Sequence, residues 1–322
     1  MTRLSNVFFF AVLGAVGVST ASAASLYVTV QSPAKVVAVD EATGTVTDVI
    51  TSGLLNPRGI AFNPLNGDFF VADAPSSPNN YAAFDTLTIK HYSPGGSFIG
   101  SFNAGPDGPF GGGLAFSSSG NLYVAAATAD GFGFLANGQV REYSTAGVPL
   151  AQSSGGASIP IGLGINNASG DVFASDGGGA VWKYSAALTS PTLFANTGVS
   201  EYGVAVAGNG NVYVGQSLFN KTLAYDSLGN SLYQQFGAGG QADVLASDGF
   251  LYALTPPNIF RLNVSDGTLA SFSAINTSSL PAAQWMAEQV VPTPEPASWI
   301  LGVVGFGGLM LLRRKMRRPI EA

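Results

Sequence analysis

The sequence contains no cysteine and one histidine in 322 residues. Without cysteine there are no disulfides and no thiolate chemistry, although an oxidising compartment would have permitted the former. A histidine-rich zinc site is excluded by count, and any Ser-His-Asp or Cys-His arrangement would have to recruit His91. Charge is scarce too: Asp, Glu, Lys and Arg together make up 10% of the chain, against 46% hydrophobic residues. That balance is the reverse of a disordered polypeptide, which combines low hydrophobicity with high charge. Basic residues are scarcest between positions 24 and 291, where seven face 17 acidic ones, a net of −10. Phosphate backbones need a basic surface, so nucleic acid is not an expected partner; cations and neutral glycans fit better.

What the chain has in excess is glycine, 42 residues. Glycine supplies the positive-φ positions of tight turns, so the composition suits many short strands joined by turns. About 265 residues remain between the two ends, enough to bury a core without covalent staples.

The ends read as addresses. Arg3, an apolar run from Val7 to Val18 and Ala21-Ser22-Ala23 follow the charged, apolar and small-residue order of a secretory signal, with cleavage after Ala23 or Ala24. The run is short for a spanning helix. Residues 1–23 are therefore expected to be a signal peptide and 24–290 the folded domain. At the other end, Pro292, Pro294 and Pro296 precede an apolar run from Ala297 to Leu312, followed by Arg313-Arg314-Lys315 and Arg317-Arg318. As a helix that run would span about 24 Å, close to a bilayer core, with Trp299 at one interface and the basic cluster on the cytoplasmic side. Prolines on both sides of Glu295 keep the preceding stretch extended and open to a processing enzyme.

Pro294-Glu295-Pro296, the glycine-rich apolar stretch and the terminal arginines resemble the PEP-CTERM sorting signal of Gram-negative bacteria. The resemblance covers residues 291–322. It implies recognition by an exosortase-type membrane enzyme, cleavage near the motif, a transient inner-membrane anchor and association with extracellular polysaccharide at the cell surface or in the matrix. It implies nothing about the activity of the domain that carries it.

Between the ends the sequence repeats. Gly59-Ile-Ala-Phe with Gly67-Asp-Phe-Phe-Val-Ala-Asp73 is matched by Gly113-Leu-Ala-Phe with Gly120-Asn-Leu-Tyr-Val-Ala125. The pattern returns at Gly162 with Asp176, at Gly203 with Val214, and at Asp243 with Ala253. Third and fourth strands follow each pair, as in Ile89-Lys-His-Tyr92 and Phe98-Ile-Gly-Ser-Phe102. Four short alternating strands in units of about 40–54 residues describe propeller blades. A sixth unit is split: residues 26–49 supply three strands, and Ala283-Gln-Trp-Met-Ala-Glu-Gln289 supplies the innermost one. Closure of this kind removes open sheet edges. The expected fold is all-β, a six-bladed propeller with a split closing blade. A sandwich of short strands is the competing architecture. Asn56-Pro-Arg-Gly-Ile-Ala-Phe62 with Val71-Ala-Asp73 resembles the NHL repeat, and the domain is similar to NHL and gluconolactonase-like six-bladed propellers.

In such a blade the loop entering the inner strand and the loop leaving the second share one face, around the mouth of the channel. That face gathers Arg58, Asp73, Asp130, Asp176, Glu201, Gln216 and Asp243 as a candidate binding surface. Asp73, Asp130 and Asp176 are candidate ligands for Ca²⁺ or Mg²⁺, or else caps of the turns they border. Tyr81 and Phe84 in one long loop, and Phe132 and Phe134 in another, are either stacking platforms for sugars and anchors for surface proteins or a satellite cluster over the face. His91, in a third strand away from the channel, reads as a surface strand residue rather than a general base. Two functions are compatible with these features. One is a non-catalytic binding or scaffold protein associated with exopolysaccharide; the other is a divalent-metal-dependent hydrolase or lyase of the lactonase type, which the fold resemblance implies.

Overall fold

The computed structural model describes residues 25–74, 86–106, 111–129, 135–199, 202–276 and 282–289. The first described elements are β1 (Ser25–Gln31), β2 (Ala34–Asp40) and β3 (Val46–Ile50). A second blade is built by β4 (Pro57–Phe62), β5 (Phe69–Asp73), β6 (Thr86–Tyr92) and β7 (Phe98–Pro106). A third uses β8 (Leu114–Phe116), β9 (Leu122–Ala129), β10 (Leu135–Tyr143) and β11 (Pro149–Gln152). The fourth has β12 (Pro160–Ile165), β13 (Val172–Asp176), β14 (Ala180–Tyr184) and β15 (Thr192–Asn196). The fifth has β16 (Val204–Val206), β17 (Val212–Gln216), β18 (Lys221–Tyr225) and β19 (Ser231–Phe236). The sixth has β20 (Ala242–Leu245), β21 (Phe250–Thr255), β22 (Asn258–Asn263) and β23 (Leu269–Asn276), and β24 (Ala283–Glu288) ends the series.

These strands form six four-stranded antiparallel sheets, and β24 pairs with β1 to give the first blade the order β24-β1-β2-β3. The split blade expected from the sequence is therefore present: the inner strand of the first blade comes from the far end of the domain. Six strands, β4, β8, β12, β16, β20 and β24, surround the central channel. The described residues include no α-helix, and none forms a helix long and apolar enough to cross a membrane. The leader and the sorting tail expected from the sequence fall on residues outside the described ones.

The core is not central but divided into wedges between blades. Tyr27, Ile60, Phe62, Phe69 and Val71 fill the seam between the first and second blades, and Phe70, Leu87, Leu114, Phe116 and Val124 fill the next. Alternation along each strand produces this arrangement. Ile60 faces backward and Ala61 forward, so this inner strand contributes to two seams. Each large side chain buried in this way stabilises the fold by about 1.5–3 kcal/mol.

The repeated glycine has a packing cause. A Cβ on Gly59 would stand 1.8 Å from the carbonyl oxygen of Gly112 in the next blade, and one on Gly162 would stand 1.8 Å from that of Tyr202. At these two positions the inner strands of adjacent blades approach so closely that no side chain fits between their backbones.

Register corrects one sequence alignment. Leu245 pairs with Leu251 as Phe62 pairs with Phe69, and Asp243 pairs with Ala253 as Ile60 pairs with Val71. Ala242, not Asp243, therefore occupies the place of Gly59. Asp243 stands where the other blades have Ile60, Leu114, Leu163 and Val204.

Candidate functional site: the channel mouth and its seams

Inner strands begin and second strands end on the same face, since Pro57 pairs with Asp73 and Pro160 with Asp176. Below this mouth the channel holds a cavity of about 260 Å³, lined by small and aliphatic side chains such as Ala61, Ala115, Ala205 and Val244 together with Trp285, Asp243 and Glu288. That is just below the size range of sites that enclose a small ligand.

The two described metal candidates, Asp73 and Asp176, are bound to backbone. Asp73 Oδ1 accepts the N–H of Asn56 at 2.8 Å and that of Leu55 at 3.0 Å, and Lys90 Nζ is 2.7 Å from Oδ2. Lys90 also donates to the Gly53 carbonyl. Asp176 accepts from Ser158 N at 2.9 Å, Gly178 N at 3.0 Å and Ile159 N at 3.3 Å. In each blade the carboxylate pins the loop that enters its own inner strand, and both side chains are almost fully buried. Thr255, at the matching position of the sixth blade, donates to Gly239 O at 2.6 Å and does the same work with a hydroxyl. The matching residue of the third blade is Ala126, because Ala126 follows Val124 as Asp73 follows Val71. Asp130 lies beyond that position and, like Glu201, Tyr81, Phe84, Phe132 and Phe134, outside the described residues.

A divalent cation at Asp73 or Asp176 would displace two or three backbone donors from a buried carboxylate. The same groups fit the capping role as they stand. No group of three His, Asp or Glu among the described residues is spaced to hold a metal ion.

Arg58 is a positioning element of the ring. Its Nη1 donates to Gly111 O at 3.1 Å in the third blade, and its own carbonyl accepts Thr29 Oγ1 at 2.6 Å from the first. Ser175 performs a similar stitch further round, donating to Tyr202 O at 2.7 Å and accepting from Gly162 N at 2.8 Å. These hydroxyl stitches leave no mark in the sequence, because a serine or threonine in a strand looks like an ordinary β residue.

The fifth and sixth blades differ. Gln216 occupies the position of Asp73 and Asp176, is fully buried, and neither its Nε2 nor its Oε1 has a hydrogen-bond partner. Asp243 lies buried in the seam between these blades. Its Oδ1 is 3.4 Å from Thr222 Oγ1, and its Oδ2 has no partner. Gly215 makes room for it, since a Cβ there would stand 3.3 Å from Oδ2. Burial without a cation drives the Asp243 carboxyl up to about 8, with the Thr222 hydroxyl opposing only weakly. At neutral pH this acid is held in its protonated form.

His91 sits on β6, with Nε2 2.8 Å from Asp68 Oδ2 and its ring stacked on Phe70 at 4.1 Å between centroids. It is more buried than a surface strand residue and is engaged away from the mouth. On the opposite face, Glu41 lies near Glu288, Asp248, Tyr252 and Arg261 where the first and sixth blades meet. Burial, then the charges of Glu288 and Asp248, raise its carboxyl to about 7.

The sequence matches no protein-family model and no curated protein. Solved structures are similar in fold. A chain of the nidogen/laminin complex aligns over 83% of this chain and 82% of its own, with a TM-score of 0.54 and 15% identity. A protein of unknown function from Bacteroides caccae aligns over 83% of this chain and 99% of its own, with a TM-score of 0.59 and 10% identity. At these identities the likeness is one of fold: this chain is a six-bladed β-propeller.

Proposed function

We propose that the chain is an exported surface or matrix protein whose propeller binds rather than catalyses. In this reading residues 1–23 direct export and 24–290 form the propeller. Residues 291–322 are a sorting tail, processed by an exosortase-type enzyme at Pro294-Glu295-Pro296. The domain is then displayed in the extracellular polysaccharide layer, through a transient inner-membrane anchor, and meets exopolysaccharide or other surface proteins there.

The observation that carries the binding reading is the state of the mouth. Asp73 and Asp176, the described acids best placed for a cation or for acid–base work, are used as caps of their own blades' loops. Arg58 is used to join blades. What such a rigid ring offers a partner is shape and exposed loops. The fold likeness to a chain of the nidogen/laminin complex is compatible with a matrix protein, and fold alone does not choose between functions.

Two measurements test this reading. Intact mass of the protein recovered from the surface of its producing bacterium should show loss of the leader and truncation near Glu295. Retention of the untrimmed chain in the inner membrane would reject the sorting half. Sedimentation of the protein with isolated extracellular polysaccharide should succeed in physiological salt. A fully soluble protein under those conditions would reject the matrix half.

A further inference from the structure

One exposed cluster is not accounted for by packing. A single 3₁₀ turn, Ser217–Phe219, follows β17 and is closed by Asn220 in the left-handed region at φ 46°. That turn holds Leu218 and Phe219 out from the fifth blade, 72% and 51% exposed, beside Phe236 at the end of β19, which is 66% exposed. Lys221, the first residue of β18, lies between the rings. Its Nζ is 5.6 Å from the Phe219 centroid and 5.3 Å from that of Phe236. Gln234 Oε1, 3.4 Å from the same nitrogen, completes the group. Lys35, Lys90, Lys183 and Arg261 each pair with a carboxylate, whereas among the described residues Lys221 has none.

We propose that Phe219, Lys221 and Phe236 form a binding platform for an acidic sugar of a polysaccharide. Exposed aromatic rings offer flat apolar surface to the C–H face of a sugar ring. An ammonium held between them, without an internal counter-ion, is placed to pair with a carboxylate on that ring. Gln234 adds an amide for hydroxyl groups. A neutral glycan would use the rings and leave Lys221 unpaired; an acidic peptide would use Lys221 and leave the rings without a flat partner. The acidic balance of the domain does not cancel the site. Asp226, the carboxylate on the same hairpin, stands at the other end of β18, roughly 16 Å away at ~3.3 Å per residue. That exceeds the ~8 Å screening length at physiological ionic strength. Asp243 is buried.

This inference rests on the matrix-binding reading but names its own site, so the two fail separately. The experiment measures binding of the full chain to polygalacturonate, to dextran as a neutral polymer and to polyglutamate as an anion without sugar rings. Expected is preference for polygalacturonate over both controls, weakened by added salt. Lys221→Gln should lower that affinity about tenfold or more, and Phe219→Ala and Phe236→Ala severalfold each, while Lys221→Arg retains most of it. Phe219 and Phe236 are exposed and Lys221 is half-buried between them, so unchanged melting temperatures of the variants provide the folding control. Equal binding of dextran or polyglutamate, no binding of polygalacturonate, or an unaffected Lys221→Gln would each overturn the platform. If wild type and Lys221→Gln sediment equally with the producing bacterium's own matrix, the platform falls and the matrix reading stands. If neither sediments, the matrix reading falls as well.

Discussion

The fourth blade and the fifth carry the same architecture and treat the same position in opposite ways. At the end of β13, Asp176 accepts three backbone N–H groups and locks the loop entering β12. At the end of β17, Gln216 is equally enclosed and its amide binds nothing. The contrast extends into the seams. Leu163 packs in the seam between the third and fourth blades, and Asp243, in the equivalent place, brings a carboxyl into the seam between the fifth and sixth. A repeat fold repeats its backbone geometry because the strands must converge on one axis. It need not repeat its side-chain chemistry, and where a polar group replaces an apolar one in the same enclosure, stability is lost. The exposed Lys221 platform lies in that same fifth blade.

The sharpest way to break this comparison is Asp243→Val, which restores the aliphatic character found in the other seams. The folded-state carboxyl is raised to about 8, above its unfolded value of ~4. Its contribution is therefore fully present below pH ~4 and is lost as pH rises through the folded value. Each pH unit between those two values is worth ~1.4 kcal/mol, so wild-type stability should fall by several kcal/mol between pH 4 and 9. Asp243→Val should be more stable than wild type at pH 9, by denaturant unfolding, with most of that slope removed. The raised carboxyl of Glu41, about 7, leaves a smaller slope of the same sign. A variant that unfolds earlier than wild type at pH 9 would show that the seam needs the acid.

Asp176→Ala should act in the other direction. It leaves the N–H groups of Ser158, Ile159 and Gly178 without their acceptor; only Ile159 is half-buried and the other two residues are exposed, so the loss is about 1–2 kcal/mol at pH 7. An unchanged denaturation midpoint would mean that water satisfies the loop as well as the carboxylate does. The smallest expected effect is Gln216→Leu. Replacing an unpartnered amide by an apolar side chain of similar size should raise stability by about 1 kcal/mol, read as an upward shift in Tm. A drop in Tm instead would mark the amide as serving something bound there.

Much of the fold was legible in the sequence because its cause is local and repeated. Alternating strands, Gly-Asp and Gly-Asn turns and the inner-strand glycine recur, and the two ends supply complementary strands. The site was less legible. A short gap in the motif let Asp243 align with Gly59, because nothing in Ala242-Asp243-Val244 says which residue faces the next blade until the pairing with β21 fixes it. Pairing puts Ala126 at the position that Asp73 holds in the second blade, and Asp130 lies outside the described residues. The caps made by Asp73 and Asp176 were foreseeable as one of two roles, and only distances to the backbone assign the role. The Lys221 platform left no pattern in the sequence, since its parts come from a turn and two strands.

By itself the sequence determined the class of fold, the number of blades and the way the ring is closed, because strand periodicity and turn chemistry act within a few residues of chain. Tertiary structure alone decided which polar side chains are engaged by the backbone, which are buried without partners and which remain exposed. Those outcomes depend on what a neighbouring blade places within about 3 Å, and residues far apart in the chain meet there.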